Sequence, residues 1–552
     1  MSTRAKIYTE PAPQWYDVKR AREIMQAYNS GQGSGQPADI FVAQSAVLAG
    51  TGSHRDFSYI APDLPELTAE NCVACMECVQ NCPDAAIWGK VVTPAKLGND
   101  LAAMTDDDER TLVQRQLVKT TKFWKTYEKR KTDDPAAPGG AWFGIFIDPT
   151  KCKGCGECVV ACGEHNALHM IKKTKDNLPH YFSLWDFYKR VPETSGDYIN
   201  PKLKVDIMLK DGANQYVGGA GSCMGCGEAS VIRQLLAMTY EKFNSRYGIV
   251  AATGCNTVYG STYPYNPYRA PWINSLFENA PTVAMGIRAL WDQTDRQDHA
   301  LWVFGGDGAM LDIGFQALSR MLVSGMNIKV LIMDTQVYSN TGGQASTGSF
   351  VGQEAKMSIH GSAVPGKQEL RKEIGNICIM HPRVFVAQTV GPLTSHFYKS
   401  VEQALEFNGP AVINVFTTCQ PEHQVADDKA YDQALLAVES RAFPVFIYNP
   451  DAGLTMASRL SLQGNPSSKR DWHRRKNKDG EEEVVNFITF ARSEGRFSKH
   501  FDKNGQASVT LHQSMKDRLD NWRLLQQLAG VENGDFRAEI DAQQIRHAAS
   551  DS

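Results

Sequence analysis

From about residue 216 the chain settles into a repeating alternation. Short apolar runs recur: GIVAAT at 248–253, ALWVF at 300–304, IKVLIM at 328–333, VFVAQ at 384–388 and AVINVF at 411–416. Between them, stretches near 228–243, 312–324, 366–378 and 393–407 predict helices. An unbroken Val/Ile run has no polar face, so such strands are buried on both sides. Their alternation with helices predicts an α/β fold, a parallel sheet flanked by helices.

The pattern is different elsewhere. Residues 1–65 show little beyond a helix from Trp15 to Tyr28 and a flexible break, GQGSGQP, at 31–37. Residues 66–175 are rich in cysteine and predict a smaller α+β unit with a long insertion, whose acidic run Asp106–Glu109 reads as a solvated face. Residues 176–215 read as a linker, and 426–552 are more polar, with a charged, turn-rich surface loop at 466–483. The expected division is an N-terminal extension (1–65), a cysteine-rich domain (66–175), a linker (176–215), the α/β domain (216–425) and a C-terminal extension (426–552).

Composition changes this picture little. The chain has 552 residues with a net charge of -3, which gives no pull towards nucleic acid. No apolar run reaches the ~18 residues of a membrane span. The start, MSTRAKIYTEPAPQWYDVKR, does not read as a secretory signal. Thirteen cysteines, mostly in C-x-x-C groups, argue against disulfides and for a reducing cytoplasm.

Twelve of those cysteines carry the chemistry. Cys72, Cys75, Cys78 and Cys82 form one C-x2-C-x2-C-x3-C run, followed by Pro83; Cys152, Cys155, Cys158 and Cys162 form a second, followed by Gly163. Two such runs are a bacterial ferredoxin signature. Thiolates suit iron–sulfur clusters, and in two-cluster ferredoxins the fourth cysteine of each run serves the other cluster. That predicts one 4Fe–4S cluster on Cys72, Cys75, Cys78 and Cys162, and another on Cys152, Cys155, Cys158 and Cys82. Zinc is the alternative. Gly154 and Gly156 free the backbone to turn amides towards sulfur. His165 and His169 read as surface or hydrogen-bonded side chains.

The third set is scattered. Cys223 and Cys226 in SCMGCGE alone read as zinc, redox or cluster ligands; Cys255 in ATGCN and Cys419 in FTTCQ each close a predicted strand. Strand ends of a parallel sheet converge on one rim. Cys378 reads as a core residue.

On that rim also falls Gly306-Asp307-Gly308, followed by a helix, a strand and Asp-Thr-x-Val-Tyr-Ser-Asn from Asp334 to Asn340. The glycines permit a tight turn, the helix start offers amides to phosphate, and Asp307 offers a hard oxygen to magnesium. This segment resembles the thiamine diphosphate motif, which implies Mg²⁺ held by Asp307, Thr335 and the carbonyl of Val337.

Together, CMGCGE, ATGCN, GDGAMLDIG and DTQVYSNTGGQ resemble the C-terminal half of the pyruvate:ferredoxin oxidoreductase family, from roughly residue 66 to 425. The resemblance implies a third 4Fe–4S cluster on Cys223, Cys226, Cys255 and Cys419, with Asn340 near the reacting carbon of the cofactor and Glu228 in its pocket. It implies interconversion of pyruvate and coenzyme A with acetyl-CoA and CO2. Thiamine diphosphate would carry the carbon chemistry, and the clusters would pass single electrons to ferredoxin or flavodoxin. Another 2-oxo acid, such as 2-oxoglutarate, is the alternative substrate; a purely electron-transferring subunit is the other reading. The family's pyrimidine-binding, substrate and coenzyme A domains find no match here. A separate partner subunit is therefore expected, in an αβ or (αβ)2 assembly without nucleic acid or membrane.

Overall fold

The computed structural model describes residues 18–36, 47, 49–120, 122–123, 140–359, 366–476, 480–540 and 542. Two small antiparallel sheets come first. Strand β1 (Asp63–Leu67) meets β5 (Leu168–Lys172), while β2 (Ile87–Val92) and β3 (Leu117–Val118) flank β4 (Trp142–Ile147). Behind them stands an eight-stranded sheet. Its members are β6 (Tyr247–Ala252), β7 (Trp272–Ser275), β8 (Ala300–Gly306), β9 (Lys329–Asp334), β10 (Phe385–Val390), β11 (Ala411–Phe416), β12 (Phe446–Tyr448) and β13 (Leu460–Ser461). Their spatial order is β13-β12-β10-β11-β9-β8-β6-β7. The six strands from β10 to β7 run parallel; β12 and β13 add an antiparallel edge.

The apolar runs account for this sheet directly. Alternate residues of one strand enter opposite cores. Ile249 and Ala251 join Trp302, Leu331 and Ile413 on one face, under the helices Gly227–Phe243 and Thr394–Glu406. Val250 and Ala252 join Val303, Val330 and Val412 on the other, under Ala280–Asp292 and Phe315–Val323. The inner strands β6, β8, β9, β10 and β11 have no solvated side because neither face meets water; the edge strand β7 is partly exposed.

Helix Gly227–Phe243 also binds the cysteine-rich region. Its buried Arg233 donates to the carbonyls of Val79, Cys82 (3.1 Å) and Ile87 (3.0 Å) and lies over the Trp88 ring. Ser230 Oγ adds a bond to the Asn81 carbonyl at 2.9 Å.

Several elements differ from the sequence expectation. The helix expected over 366–378 is confined to Ile374–Ile379, because Lys367 and Arg371 point back to loop carbonyls of Ser349 and Gly348. Residues 176–215, expected as a linker, contain the helix Leu178–Arg190, whose Leu184 and Phe187 are buried against Phe146 and Val113. The acidic run, by contrast, is solvated as expected, with Asp106, Asp107 and Asp108 exposed, and it also starts a helix: Asp106 caps Asp107–Arg115 by accepting from the Asp108 amide at 2.8 Å, with acids in the first turn as the helix dipole favours. The tail beyond 426 is part of the main sheet. It supplies β12 and β13, and its helix Val509–Leu528 buries Trp522 and Leu525 in the second core. The expected N-terminal helix spans Val18–Asn29, and the earlier part of that expectation lies outside the described residues. Among the described residues no helix is long and apolar enough to cross a membrane.

Candidate functional site

Strands β6, β8, β9 and β11 are consecutive neighbours, and their carboxyl ends face one rim. There the chain presents Cys255 just beyond β6, Asp307 beyond β8, Thr335 beyond β9 and Cys419 beyond β11. Two cavities open on this rim. One is lined by Gly306, Gly308, Thr335, Val337, Asn340 and Glu228. The other is lined by Cys223, Cys226, Cys255 and Cys419. Glu228, Cys255, Thr335, Ser339 and Asn340 line both, so the two spaces adjoin.

Asp307, fully buried between the cavity-lining Gly306 and Gly308, accepts at Oδ1 from the Thr335 amide at 3.2 Å and from its hydroxyl at 3.1 Å, and Ser346 Oγ donates to Oδ2 at 2.5 Å. Thr335 Oγ1 lies 3.1 Å from the Val337 carbonyl oxygen and 2.6 Å from Ser339 Oγ. Burial, and the neighbouring Asp334 carboxylate, push the Asp307 acid well above the usual carboxylate range. A divalent cation would relieve that penalty, and one carboxylate, one hydroxyl and one carbonyl are the hard donors magnesium accepts while keeping phosphate oxygens. The residues therefore fit a magnesium–diphosphate. Among the described residues no three His, Cys, Asp or Glu side chains gather around a single ion position. Glu228 is buried at the junction of the cavities and accepts from the Tyr259 hydroxyl at 3.3 Å; burial pushes its acid up to about 7.

The cysteines fall into three neighbourhoods. Burial raises the thiol of Cys78, and the nearby thiols of Cys72, Cys75, Cys162 and, least, Cys82 raise it further; Cys162 likewise adds to the effect of burial at Cys72 and Cys75. Cys158 is raised by burial and then by Cys155, Cys152 and Cys82. The fourth cysteine of each run thus lies beside the first three of the other. Cys82, Cys152, Cys155 and Cys158 line one cavity. Burial raises the Cys255 thiol, and the nearby Glu228 carboxyl and the thiols of Cys226, Cys419 and Cys223 raise it further. Cys378 lies apart, fully buried in the second core.

Local backbone explains the spacing. In the second run Gly154 and Gly156 have φ 81° and 87°; in the first, Ala74 and Met76 take the same left-handed conformation at 59° and 68°. Helix Glu157–Cys162 ends at Gly163 with φ 55°. Proline, fixed near φ −65°, cannot sit there, which is why this run lacks the proline found at Pro83.

The two regions meet through Lys153. Its ammonium pairs with buried Asp84 at 2.7 Å and donates to the carbonyls of Ala220 (3.0 Å) and Ser222 (2.7 Å), next to Cys223. His169 pairs with Glu66 at 3.1 Å on the surface, and His165 is exposed. Sequence reading missed Lys153, Arg233, Tyr259, Ser339 and Ser346. Lys153, Arg233, Tyr259 and Ser346 act on partners remote in sequence, so nothing local marks them; Ser339 lies inside the Asp334–Asn340 motif, four residues from its partner Thr335, and could have been found there.

Residues 252–415 match the family model described as the thiamine pyrophosphate enzyme, C-terminal TPP binding domain. Pyruvate-flavodoxin oxidoreductase of Rhodospirillum rubrum is 26% identical, the match covering 86% of this chain but 42% of that protein. Pyruvate synthase subunit PorB of Pyrococcus furiosus is 35% identical over 42% of this chain and 71% of its own length; PorB of Thermotoga maritima is 32% identical over 44% and 76%. A solved 2-oxoglutarate:ferredoxin oxidoreductase of Magnetococcus marinus aligns with a TM-score of 0.33 at 21% identity, covering 39% of this chain and 69% of that one. The chain thus spans about two fifths of the length of the flavodoxin-linked relative it matches.

Proposed function

Because this chain belongs to the pyruvate oxidoreductase family that includes the pyruvate-flavodoxin oxidoreductases and the PorB pyruvate synthase subunits, we propose that it is the thiamine- and iron–sulfur-bearing component of a 2-oxoacid oxidoreductase. Its reaction interconverts pyruvate and coenzyme A with acetyl-CoA and CO2, and the electron pair released leaves singly to ferredoxin or flavodoxin. The observation that carries this reading is the adjoining of the two rim cavities, one offering hard oxygens and the other four cysteines.

Each residue then has a role. Asp307, Thr335 and the Val337 carbonyl hold Mg²⁺ and through it the diphosphate. Gly306 and Gly308 let the backbone approach it; a side chain on Gly308 would lie 2.5 Å from the Tyr338 ring. Thiamine diphosphate, when bound, supplies the carbon nucleophile for cleaving or forming the bond to the substrate carboxyl carbon. Asn340 orients the reacting oxo acid. Glu228, with an acid near neutrality, holds or gives up a proton at its carboxyl oxygen. Cys223, Cys226, Cys255 and Cys419 hold the cluster nearest the cofactor. Cys152, Cys155, Cys158 and Cys82 hold the next, and Cys72, Cys75, Cys78 and Cys162 the outermost, whose neighbour Val73 is exposed. Residues 66–175 form the ferredoxin-like domain and 216–425 the thiamine diphosphate domain. The two relatives named as subunits support assembly with a partner subunit carrying the remaining domains.

The test is oxo-acid-dependent viologen reduction by this chain purified anaerobically with its co-expressed partner. Pyruvate, 2-oxoglutarate and an aryl pyruvate are compared in the presence of coenzyme A. The expected result is reduction that needs coenzyme A and prefers pyruvate. Absence of reduction with every oxo acid refutes the reading.

A further inference from the structure

The tail beyond residue 426 supplies buried charge directly behind the oxygen set of the rim. Between Thr335 and Val337 stands Gln336, which takes a left-handed φ of 58° that non-glycine residues seldom adopt. This single residue sets the relative aim of the Thr335 hydroxyl and the Val337 carbonyl. Strained residues of this kind persist only where their surroundings over-determine them, and they cluster at ligand clamps.

The main chain of Gln336 is tied locally: its amide donates to Asp334 Oδ1 at 3.3 Å, and its carbonyl accepts from Gln353 Nε2 at 2.9 Å and Ser349 Oγ at 2.5 Å, while its side-chain oxygen is held from the tail. Arg496 Nη2 donates to Gln336 Oε1 at 3.1 Å, and its Nε pairs with Glu494 Oε2 at 2.6 Å. Glu494 Oε1 stands 3.7 Å from Nδ1 of His423, whose Nε2 lies 2.8 Å from the Thr335 carbonyl oxygen and donates to it. Glu494, Arg496 and His423 are all fully buried. A second line reaches the same turn from the helix Val509–Leu528. Arg518 pairs with Glu373 at 2.5 Å, Glu373 lies 3.5 Å from Arg371, and Arg371 binds the carboxylate of Asp334, the residue before Thr335. Buried ion pairs are poor stabilisers compared with apolar side chains of the same size, and their best-attested use is to fix one arrangement among several. Groups behind a metal site do this for its ligands.

We propose that Arg496 and Glu494 are positioning residues: they hold Gln336 in its left-handed conformation and so fix the Thr335 and Val337 oxygens for a divalent cation carrying a diphosphate. The inference rests on the reading of those oxygens as the cation site.

The test uses the chain with its partner subunit and titrates Mg²⁺ at fixed thiamine diphosphate, followed by quenching of protein fluorescence. The variant is Glu494→Gln with Arg496→Met, which removes both charges and leaves no buried ion unpaired. The expected result is an unchanged iron content and at least a tenfold rise in the Mg²⁺ needed for half-saturation. Activity should return when Mg²⁺ is raised, which general damage to the fold would not allow. Gln336→Met keeps the ion pair and removes its hold on the turn together with the Gln336 side-chain amide's own bonds to Asp334; it gives at least the same tenfold rise and stands in should the double variant fail to fold. Half-saturation within twofold of the parent in either folded variant overturns the inference. A parent that takes up neither Mg²⁺ nor thiamine diphosphate overturns the cation-site reading beneath it.

Discussion

Replacing Gly225 by alanine tests whether the backbone between Cys223 and Cys226 is built to present both sulfurs to one cluster. Gly225 has φ 71°, and a Cβ placed on it would lie 1.8 Å from the carbonyl oxygen of Asp427 and 2.9 Å from the Gln420 side-chain amide. An ordinary carbon–oxygen contact needs about 3.3 Å, so one segment must retreat by roughly 1.5 Å. The carbonyl belongs to backbone and cannot rotate away. Gln420 already donates to the Gly225 carbonyl and follows Cys419 directly, so the retreat disturbs two parts of the cysteine set together. The left-handed alanine costs about 1–2 kcal/mol and the overpacking about 1–3 kcal/mol, some 2–5 kcal/mol concentrated at this turn. The rest of the fold does not depend on the turn, because helix Gly227–Phe243 is held through Arg233 and its apolar face. The expected outcome is a folded protein whose iron falls from about twelve to about eight atoms per chain, for three and two cubane clusters respectively. The electron paramagnetic signals of the two remaining clusters should persist while oxo-acid-dependent viologen reduction is lost. Gly225→Ala protein with about twelve irons and parental turnover would refute the geometry of the third cysteine set.

Cys162→Ala should remove the cluster of Cys72, Cys75 and Cys78 rather than that of its own run, since Cys162 lies beside those three. Separate ablation of Cys72 and of Cys152 identifies each cluster's signal, and loss of the Cys152-dependent signal in Cys162→Ala would count against the crossed arrangement. His396 gives a pH prediction. Burial lowers its pKa from 6.5 to about 4, so the folded state keeps it neutral while the unfolded chain protonates near 6.5. The unfolded state then binds the extra proton, and stability is lost as pH falls from 6.5 towards 4, by an amount on the order of 3 kcal/mol. His396→Gln should flatten that part of the curve of unfolding midpoint against pH; an unchanged slope refutes the assignment.

Much of this protein was legible in one dimension. The paired cysteine runs announce themselves because three thiols of each lie in one tight loop, so their spacing is local. The strands β6, β8, β9, β10 and β11 were legible because burial on both faces leaves only apolar residues in an unbroken run. Asp307 and Thr335 were marked by the turn and loop chemistry around them. The strands β12 and β13, three and two residues long, carry too little pattern to be seen. Helix Leu178–Arg190 sits where the sequence suggested a linker, since its apolar face is short and aromatic.

What the sequence alone determined is therefore the paired cysteine runs and the class of sheet, because both are properties of neighbouring residues along the chain. The tertiary structure decided which cysteines share a neighbourhood. The crossing of Cys82 and Cys162, the meeting of Cys255 with Cys419, and the brace from Glu494 and Arg496 to Gln336 all join residues far apart in the chain. Such contacts depend on strand order and helix packing, which arise from the burial of whole faces and leave no mark at the individual positions they bring together.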